Sequence, residues 1–180
     1  MDSELNGKIL RLLDFPELKE DFEASFFSAF QHLPQVLLQQ IWDIDYVKKT
    51  VNLKSNPETT FIVPWIVNEK VLAYLAFQED GTNSFSQVNF FGFSNPQNVG
   101  KTVEVLTLFR SEHPIDDTEL NLKRDFLIDI CWSALKSKGY RFAHATCTQK
   151  ILPLYKRWGF DVLGEQEIDG LKRFHISYQD

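Results

Sequence analysis

One apolar stripe in the second half of the chain constrains the fold more than any other feature of the sequence. From about Asn121 to Leu135, one helical face is continuously apolar, and Gly139 follows where a helix C-terminus favours a left-handed residue. The members of the stripe are Leu122, Phe126, Leu127, Ile130, Cys131, Ala134 and Leu135. The next run, Tyr140 to Cys147, is typical of a strand. A helix that leads directly into a strand indicates an α/β domain.

Short runs rich in β-branched and aromatic residues predict more strands before this helix. The first two predicted strands are Thr60 to Val67 and Val71 to Phe77, and the connection between them is short enough for a hairpin. Two further strands are predicted at Gln87 to Phe93 and Val103 to Phe109. Pro64 cannot donate to a ladder, so the first of these strands is expected at an edge or with a bulge.

Two helices are predicted before the strands. From Pro16 to about Gln31 the apolar residues recur at helical spacing, and a second helical run is predicted after Pro34, through Trp42 to about residue 50.

The C-terminal part is predicted to be a short helix and a hairpin. The helix is expected to begin near Leu152, because Pro153 suits only a first turn, and to end at Trp158. Asp161 to Ile168 and Leu171 to Tyr178 form the closing strands, joined at the turn dipeptide Asp169-Gly170.

Length and composition indicate one globular domain over residues 1–180, with two N-terminal helices at about 16–50 and the sheet and C-terminal half at about 60–178. The chain has 180 residues, of which 43% are hydrophobic and 24% charged.

Charge and patterning argue against several classes of partner. The formal net charge is -6, whereas nucleic-acid binding usually needs a concentrated basic face. No run approaches the roughly 20 apolar residues that span a bilayer, and the acidic start, with Asp2 and Glu4, does not resemble a signal peptide. We therefore expect a cytoplasmic protein that binds neither nucleic acid nor membranes.

No metal site is expected. Cys131 and Cys147 form no C-x-x-C pair, and the four histidines lack the spacing of zinc ligands. The histidines are His32, His113, His144 and His175.

The stretch Leu154 to Phe160, with the sequence LYKRWGF, follows the Tyr140–Cys147 strand. It resembles the Y-x-x-x-G-F signature of the GNAT acyltransferase superfamily, and the resemblance extends over roughly Thr60 to Tyr178. It implies a GNAT fold of the α/β class, with a mixed central sheet flanked by helices.

The resemblance implies that Tyr155 is a catalytic acid. In this superfamily the tyrosine hydroxyl lies close to the thioester sulfur and donates a proton to the leaving thiolate. A thiol with a pKa of about 8.5 leaves more readily when a donor compensates its developing charge. The alternative is that Tyr155 packs its helix against the sheet, with its hydroxyl bonded locally.

The resemblance also implies a pantetheine site between two splayed strands, here Val105 to Phe109 and Ala143 to Cys147. An amide-bearing arm can bond to a strand edge as another strand would. The expected binding residues on the first strand are Leu106, Thr107, Leu108 and Phe109, and the co-substrate is an acyl-CoA or an acyl-phosphopantetheine.

The sequence departs from the superfamily at the loop that binds the coenzyme pyrophosphate. No glycine lies between Gly100 and Gly139, and Leu120 and Leu122 stand where small residues of the [QR]-x-x-G-x-[GA] motif are expected. Glu104 and Pro153 resemble features of N-acyl amino acid synthases and acyl-homoserine lactone synthases, some of which take acyl groups from a carrier protein.

Lys123 and Arg124 are predicted to meet a phosphate or an acidic acyl carrier protein, unless they are solvated surface. Glu104 is predicted to be the general base or the ligand of a substrate ammonium, because desolvation can raise the pKa of a carboxyl inside a strand. The alternative is that Glu104 faces solvent.

These features predict an acyltransferase that moves an acyl group from a pantetheine thioester to an amine, without a metal. The alternatives are a GNAT-fold binding or regulatory module that has lost transfer, and thioester chemistry of another kind, such as decarboxylation. The sequence leaves open the acceptor, the acyl length and the oligomeric state.

Overall fold

The structure is a computed structural model that describes residues 3–33, 42–53, 57–79, 86–97, 100–111 and 121–179. The strands are β1 (Leu10–Arg11), β2 (Trp42–Asp45), β3 (Thr50–Leu53), β4 (Thr60–Val67), β5 (Lys70–Glu79), β6 (Lys101–Arg110), β7 (Tyr140–Thr148), β8 (Asp161–Ile168) and β9 (Leu171–Gln179). The helices are α1 (Pro16–Phe30), α2 (Ser86–Phe90), the π-type helix α3 (Leu122–Trp132), α4 (Ser133–Ser137) and α5 (Leu152–Arg157).

Seven of the strands form one mixed sheet in the order β1-β4-β5-β6-β7-β9-β8, and β2 and β3 form a separate hairpin. β6 and β7 are parallel, whereas β9 is antiparallel to both β7 and β8. Residue Leu163 has no partner in the β8–β9 register, so β8 carries a bulge at the edge of the sheet. The predicted mixed sheet flanked by helices is confirmed.

The chain divides into two compact units, and β5 and β6 each pass from one unit into the other. The first unit comprises Met1–Ala76 and Thr107–Ala134, and the second comprises Phe77–Leu106 and Leu135–Asp180.

The first unit has an aromatic core. Phe22 of α1 packs edge-on against Tyr74 and Phe109, with ring centroids 5.3 and 5.4 Å away. The Tyr74 hydroxyl donates a 2.6 Å hydrogen bond to Asp21, and burial raises the pKa of this tyrosine. These contacts fix α1 on strands β5 and β6. Aromatic rings bury large areas, so they contribute strongly to the stability of this packing.

The second unit is built on the antiparallel strands β7, β9 and β8, which follow closely in the chain. Val88, Phe91 and Phe93, in and after α2, form a buried apolar cluster with Ile168. This cluster covers polar side chains of the sheet, described below.

Most predicted elements of the C-terminal half are confirmed. The apolar stripe forms α3 and α4, and Gly139 adopts a left-handed φ of 82° directly after them. Asp169 and Gly170 both have positive φ, 50° and 75°, as the two central residues of a type I′ hairpin turn do.

Two predicted elements are wrong. The second helix was predicted to run past Trp42, but residues 42–53 form the β2–β3 hairpin; residues 34–41 lie outside the described part. The Asp45 carboxylate accepts hydrogen bonds from the N–H groups of Val47 and Lys48, which forms a turn instead of a helix. The predicted strand Gln87 to Phe93 begins as helix α2, because a carboxylate distant in sequence caps its first N–H groups.

Pro64 lies beyond the short β1–β4 pairing. β1 pairs with β4 only at Phe61 and Ile62, and the Pro64 carbonyl accepts a hydrogen bond from Gly7 N–H. The N–H that proline lacks is therefore not needed for the β1 ladder. Among the described residues, no helix has both the length and the apolar character to cross a bilayer.

The β8–β9 turn gives a test of the fold. We expect Gly170→Ala to lower the free energy of unfolding by about 1 kcal/mol, because an L-residue at this φ is strained while its Cβ would meet no atom within 4 Å. Urea denaturation checks this, with Gln166→Ala as a control for an alanine substitution at an exposed position of the same hairpin. An unchanged midpoint for Gly170→Ala contradicts the assigned turn.

Candidate active site

The parallel ladder between β6 and β7 ends inside the second unit. The paired residues run from Lys101–Tyr140 to Val105–Ala145, whereas both strands continue past them. Immediately beyond, the side-chain amide of Gln87 joins the strands: its Nε2 donates to the Leu106 carbonyl (2.8 Å) and its Oε1 accepts from Thr146 Oγ1 (3.0 Å). A side chain therefore takes the place of the next ladder hydrogen bond.

Glu104 is fully buried on β6, one residue before the ladder ends. Its Oε1 accepts hydrogen bonds from the backbone N–H groups of Gln87 (3.0 Å) and Val88 (2.9 Å), and its Oε2 accepts from Gln78 Nε2. A buried carboxylate needs such donors, since leaving it unpaired would cost several kcal/mol. The side chain does not face solvent, and its contacts hold α2 against the sheet.

Arg173 on β9 continues this polar network. Its Nε and Nη2 donate to Thr146 Oγ1 (3.1 and 2.9 Å), and its guanidinium carbon lies 4.3 Å from the Phe91 ring centroid. Hydrogen bonds thus run from Arg173 to Thr146, from Thr146 to Gln87, and from Gln87 to the Leu106 carbonyl. Burial lowers the pKa of Arg173 to about 10, which leaves the group protonated at neutral pH.

Tyr155 on α5 lies within electrostatic range of Arg173 and Cys147, because both groups influence its pKa. Burial raises its pKa to about 12; Cys147 adds to the increase, and the Arg173 charge opposes it. Its ring packs edge-on against Trp158 and Phe160, with centroids 5.5 and 5.1 Å away. Among the described residues, none forms a hydrogen bond to its hydroxyl, so the local bond that would suit a purely structural tyrosine is missing.

Local sequence explains how α5 presents Tyr155. Pro153 occupies the first turn, where its missing N–H costs nothing. Gly159 has a φ of 92°, which favours glycine, and this allows the N–H of Phe160 to bond back to the Tyr155 carbonyl at 3.0 Å. The G-F pair therefore closes the helix and fixes the tyrosine.

A buried histidine pair lies on the same two strands as Thr146 and Arg173. His144 Nδ1 and His175 Nε2 are 3.2 Å apart, and the Phe93 ring lies 5.4 Å from the His175 ring. Burial lowers both pKa values, and the proximity of His175 contributes to lowering that of His144 to about 4. Both rings are therefore neutral at pH 7, and one donates to the other.

The other predicted site residues lie in the first unit. The Phe109 side chain is part of the aromatic core, whereas Thr107 and Leu108 are partly exposed. Arg124 is exposed near the start of α3, where its N–H donates to Asn121 Oδ1 at 3.0 Å. The Lys123 side chain lies outside the described part. Within one unit, the structure therefore brings together only Glu104, Leu106 and Tyr155 of the predicted set.

The first unit also contains a cavity of about 180 Å³. It lies beside α1, and Phe22, Trp42 and the Lys19–Glu23 ion pair contribute to its walls. Its volume is below the range usual for pockets that bury small-molecule ligands. None of the predicted site residues lines it.

Comparison with known proteins identifies the fold. No protein-family model matches the sequence, and no curated protein matches it. The structure of the CoA-dependent acyl-homoserine lactone synthase BjaI with SAM and isopentyl-CoA is similar, with a TM-score of 0.64, 12% identity, and 96% of this chain and 82% of that chain covered. The fold is that of the GNAT acyltransferases.

Two other GNAT-fold structures show the same similarity at lower TM-scores. FeeM, an N-acyl amino acid synthase from uncultured soil microbes, has a TM-score of 0.52 at 12% identity, with 79% of this chain and 83% of that chain covered. An N-acetyltransferase from Staphylococcus aureus Mu50 has a TM-score of 0.51 at 15% identity, with 96% and 95% covered. At these identities the likeness concerns the GNAT fold alone.

Gln87, Thr146 and Arg173 were not among the site residues predicted from the sequence. Gln87 was assigned to a strand, which hid its role at the end of the ladder. The other two were detectable, because polar and apolar residues alternate along β7 and β9 and place polar side chains on one face. Nothing in the sequence states that the two polar faces coincide; the β7–β9 register does that.

The histidine pair predicts a loss of stability in acid. Both pKa values are lower in the folded protein than the usual 6.5, so the unfolded chain binds more protons as the pH falls from about 6.5 towards 4. We expect the pair to cost about 2–3 kcal/mol of unfolding free energy between pH 7 and pH 4.5. Urea denaturation at both pH values measures the difference.

His144→Gln is expected to reduce this difference between pH values, whatever its effect at pH 7. The exposed His32 is the matched control, and His32→Gln should leave the difference as in wild type. An identical pH dependence in wild type and His144→Gln would contradict the neutral buried pair.

Proposed function

We propose that this protein is an acyltransferase that moves an acyl group from a pantetheine thioester to an amine. The observation that carries the proposal is Tyr155, whose hydroxyl forms no hydrogen bond with the described residues and whose pKa is influenced by Arg173 and Cys147. The hydrogen-bonded chain from Arg173 connects this position to the end of the β6–β7 ladder. A free donor there suits proton transfer to a leaving thiolate.

The reaction needs one bond formed and one broken. The amine nitrogen attacks the thioester carbonyl carbon, the C–S bond breaks, and its electron pair goes to sulfur. Tyr155 donates its proton to that sulfur, and the proton lost by the amine goes to a base. With a pKa of about 12, Tyr155 is protonated at neutral pH and ready to act as an acid.

The donor is an acyl-CoA or an acyl-phosphopantetheine on a carrier protein. We assign its pantetheine arm to the main chain of Leu106, Thr107, Leu108 and Phe109. Lys123 and Arg124 are the cations for a phosphate or for an acidic carrier protein. Two of the similar structures support thioester chemistry on this fold: BjaI is CoA-dependent, and FeeM makes N-acyl amino acids.

Glu104 stays the predicted base or ammonium ligand. Its position on β6 next to the ladder end supports this role, whereas its three hydrogen bonds compete with proton transfer.

A binding module without transferase activity is the second candidate. The absent pyrophosphate loop favours it, and so does Gln87, which already bonds to the Leu106 carbonyl that a donor amide would use. A thioester that binds tightly but is never turned over would identify such a module.

Tyr155→Phe tests the transferase. We expect this change to lower kcat for amine acylation by about 100-fold or more, because general acid catalysis typically contributes at least that factor. The measurement is thiol release from acyl-CoA and acylated carrier protein in the presence of amines. Tyr46→Phe is the control, since Tyr46 packs on Phe27 in the first unit.

Calorimetry with the same donors separates the two candidates. Thioester binding by both wild type and Tyr155→Phe, with turnover by wild type alone, supports the transferase. Binding without turnover by wild type supports the module, and neither binding nor turnover rejects both.

A further inference from the structure

Among the described residues, Arg173 donates hydrogen bonds only to neutral groups. The guanidinium donates to Thr146 Oγ1 through Nε and Nη2, to the Thr146 carbonyl at 3.4 Å, and packs over Phe91. Within the part of the chain that the structure describes, it forms no ion pair. Its exposed neighbour Lys172, by contrast, pairs with Glu165 at 2.5 Å.

Burying part of a charge that has no counter-ion among the described residues costs free energy, which calls for an explanation. The two titratable groups nearby do not supply the missing charge. Burial raises the pKa of Cys147 to about 11 and that of Tyr155 to about 12, which leaves both neutral at pH 7. No permanent anion therefore faces Arg173 from the residues that affect its pKa.

We propose that Arg173 stabilises the negative charge that appears on the leaving sulfur and on the Tyr155 oxygen during thioester cleavage. This inference rests on the proposed function. When the C–S bond breaks, its electron pair goes to sulfur; when Tyr155 donates its proton, the charge moves to the phenolate. Arg173 stays protonated throughout and transfers no proton. A fixed cation in a desolvated site stabilises such transient charge far more than water does.

The hydrogen-bond chain explains how the charge is held in place. Thr146 receives two hydrogen bonds from the guanidinium and donates to Gln87, which bonds to the Leu106 carbonyl. Arg173 is therefore tied to both strands at the ladder end, next to where the thioester is expected. Nη1 makes no hydrogen bond to the described residues, so it can face an incoming sulfur or phenolate.

The test compares leaving groups of different acidity. The same acyl group is placed on N-acetylcysteamine, an alkyl thiol, and on thiophenol, a more acidic thiol that needs less stabilisation as it leaves. We expect Arg173→Met to lower kcat for the alkyl thioester by a factor of about 100 to 1,000. For the aryl thioester, the factor by which kcat falls should be at least about ten times smaller. Arg173→Lys should recover part of the loss, because it keeps the charge.

Lys172→Met removes a neighbouring cation of β9 that pairs with Glu165, and it is expected to leave both rates unchanged. Melting temperatures of all variants are measured alongside the rates. A structural role for Arg173 would slow both thioesters by the same factor, in parallel with a lower melting temperature, and would overturn the inference.

Two further outcomes also overturn it. If Arg173→Met raises only the KM of acceptors that carry a carboxylate, then Arg173 binds that carboxylate instead of serving the leaving group. If wild type cleaves neither thioester with any amine, the proposed function fails and this inference fails with it. The inference is supported if Arg173→Met slows the alkyl thioester more than the aryl thioester and Arg173→Lys recovers part of the lost rate.

Discussion

The buried carboxylate of Glu104 organises the second unit. A carboxylate at zero exposure must be met by donors, and three of them come from β5 and α2, which both precede β6 in the chain. The hydrogen bonds that the Glu104 carboxylate accepts position α2. The helix in turn places Gln87 at the end of the β6–β7 ladder and Phe91 over Arg173. One charge removed from water thus fixes the helix, the bridge between strands and the surroundings of the cation.

Elements with strong local signals were predictable from the sequence. The helix before Gly139 has two local signals, an apolar face and a left-handed glycine at its end. The closing hairpin has one, the turn dipeptide Asp169-Gly170. α2 was not predictable, because a carboxylate distant in sequence caps its first turn. The β2–β3 hairpin was not predictable either, because the Asp45 turn interrupts a run that has helical spacing. Interactions between residues far apart in the chain overrode local propensity in α2.

The candidate site was predictable only where a motif marks it. Tyr155 followed from the tyrosine-glycine-phenylalanine spacing, which also serves the closure of α5. Arg173 has no motif, and the role proposed for it depends on its having no ion pair among the described residues, a property that only three-dimensional placement reveals. Glu104 was identified as a candidate, but sequence alone did not show how many donors already hold it.

The bulge in β8 has a consequence for how molecules of this protein meet one another. β8 is the last strand of the sheet, and no strand of the described part of the chain pairs with its outer edge, so its backbone groups are available to another extended chain. The extra residue Leu163 interrupts the regular spacing of those groups, and Glu167 places a negative charge on the same strand. A second copy that approached edge to edge would meet a mismatched register and electrostatic repulsion, so the exposed end of the sheet is a poor template for aggregation.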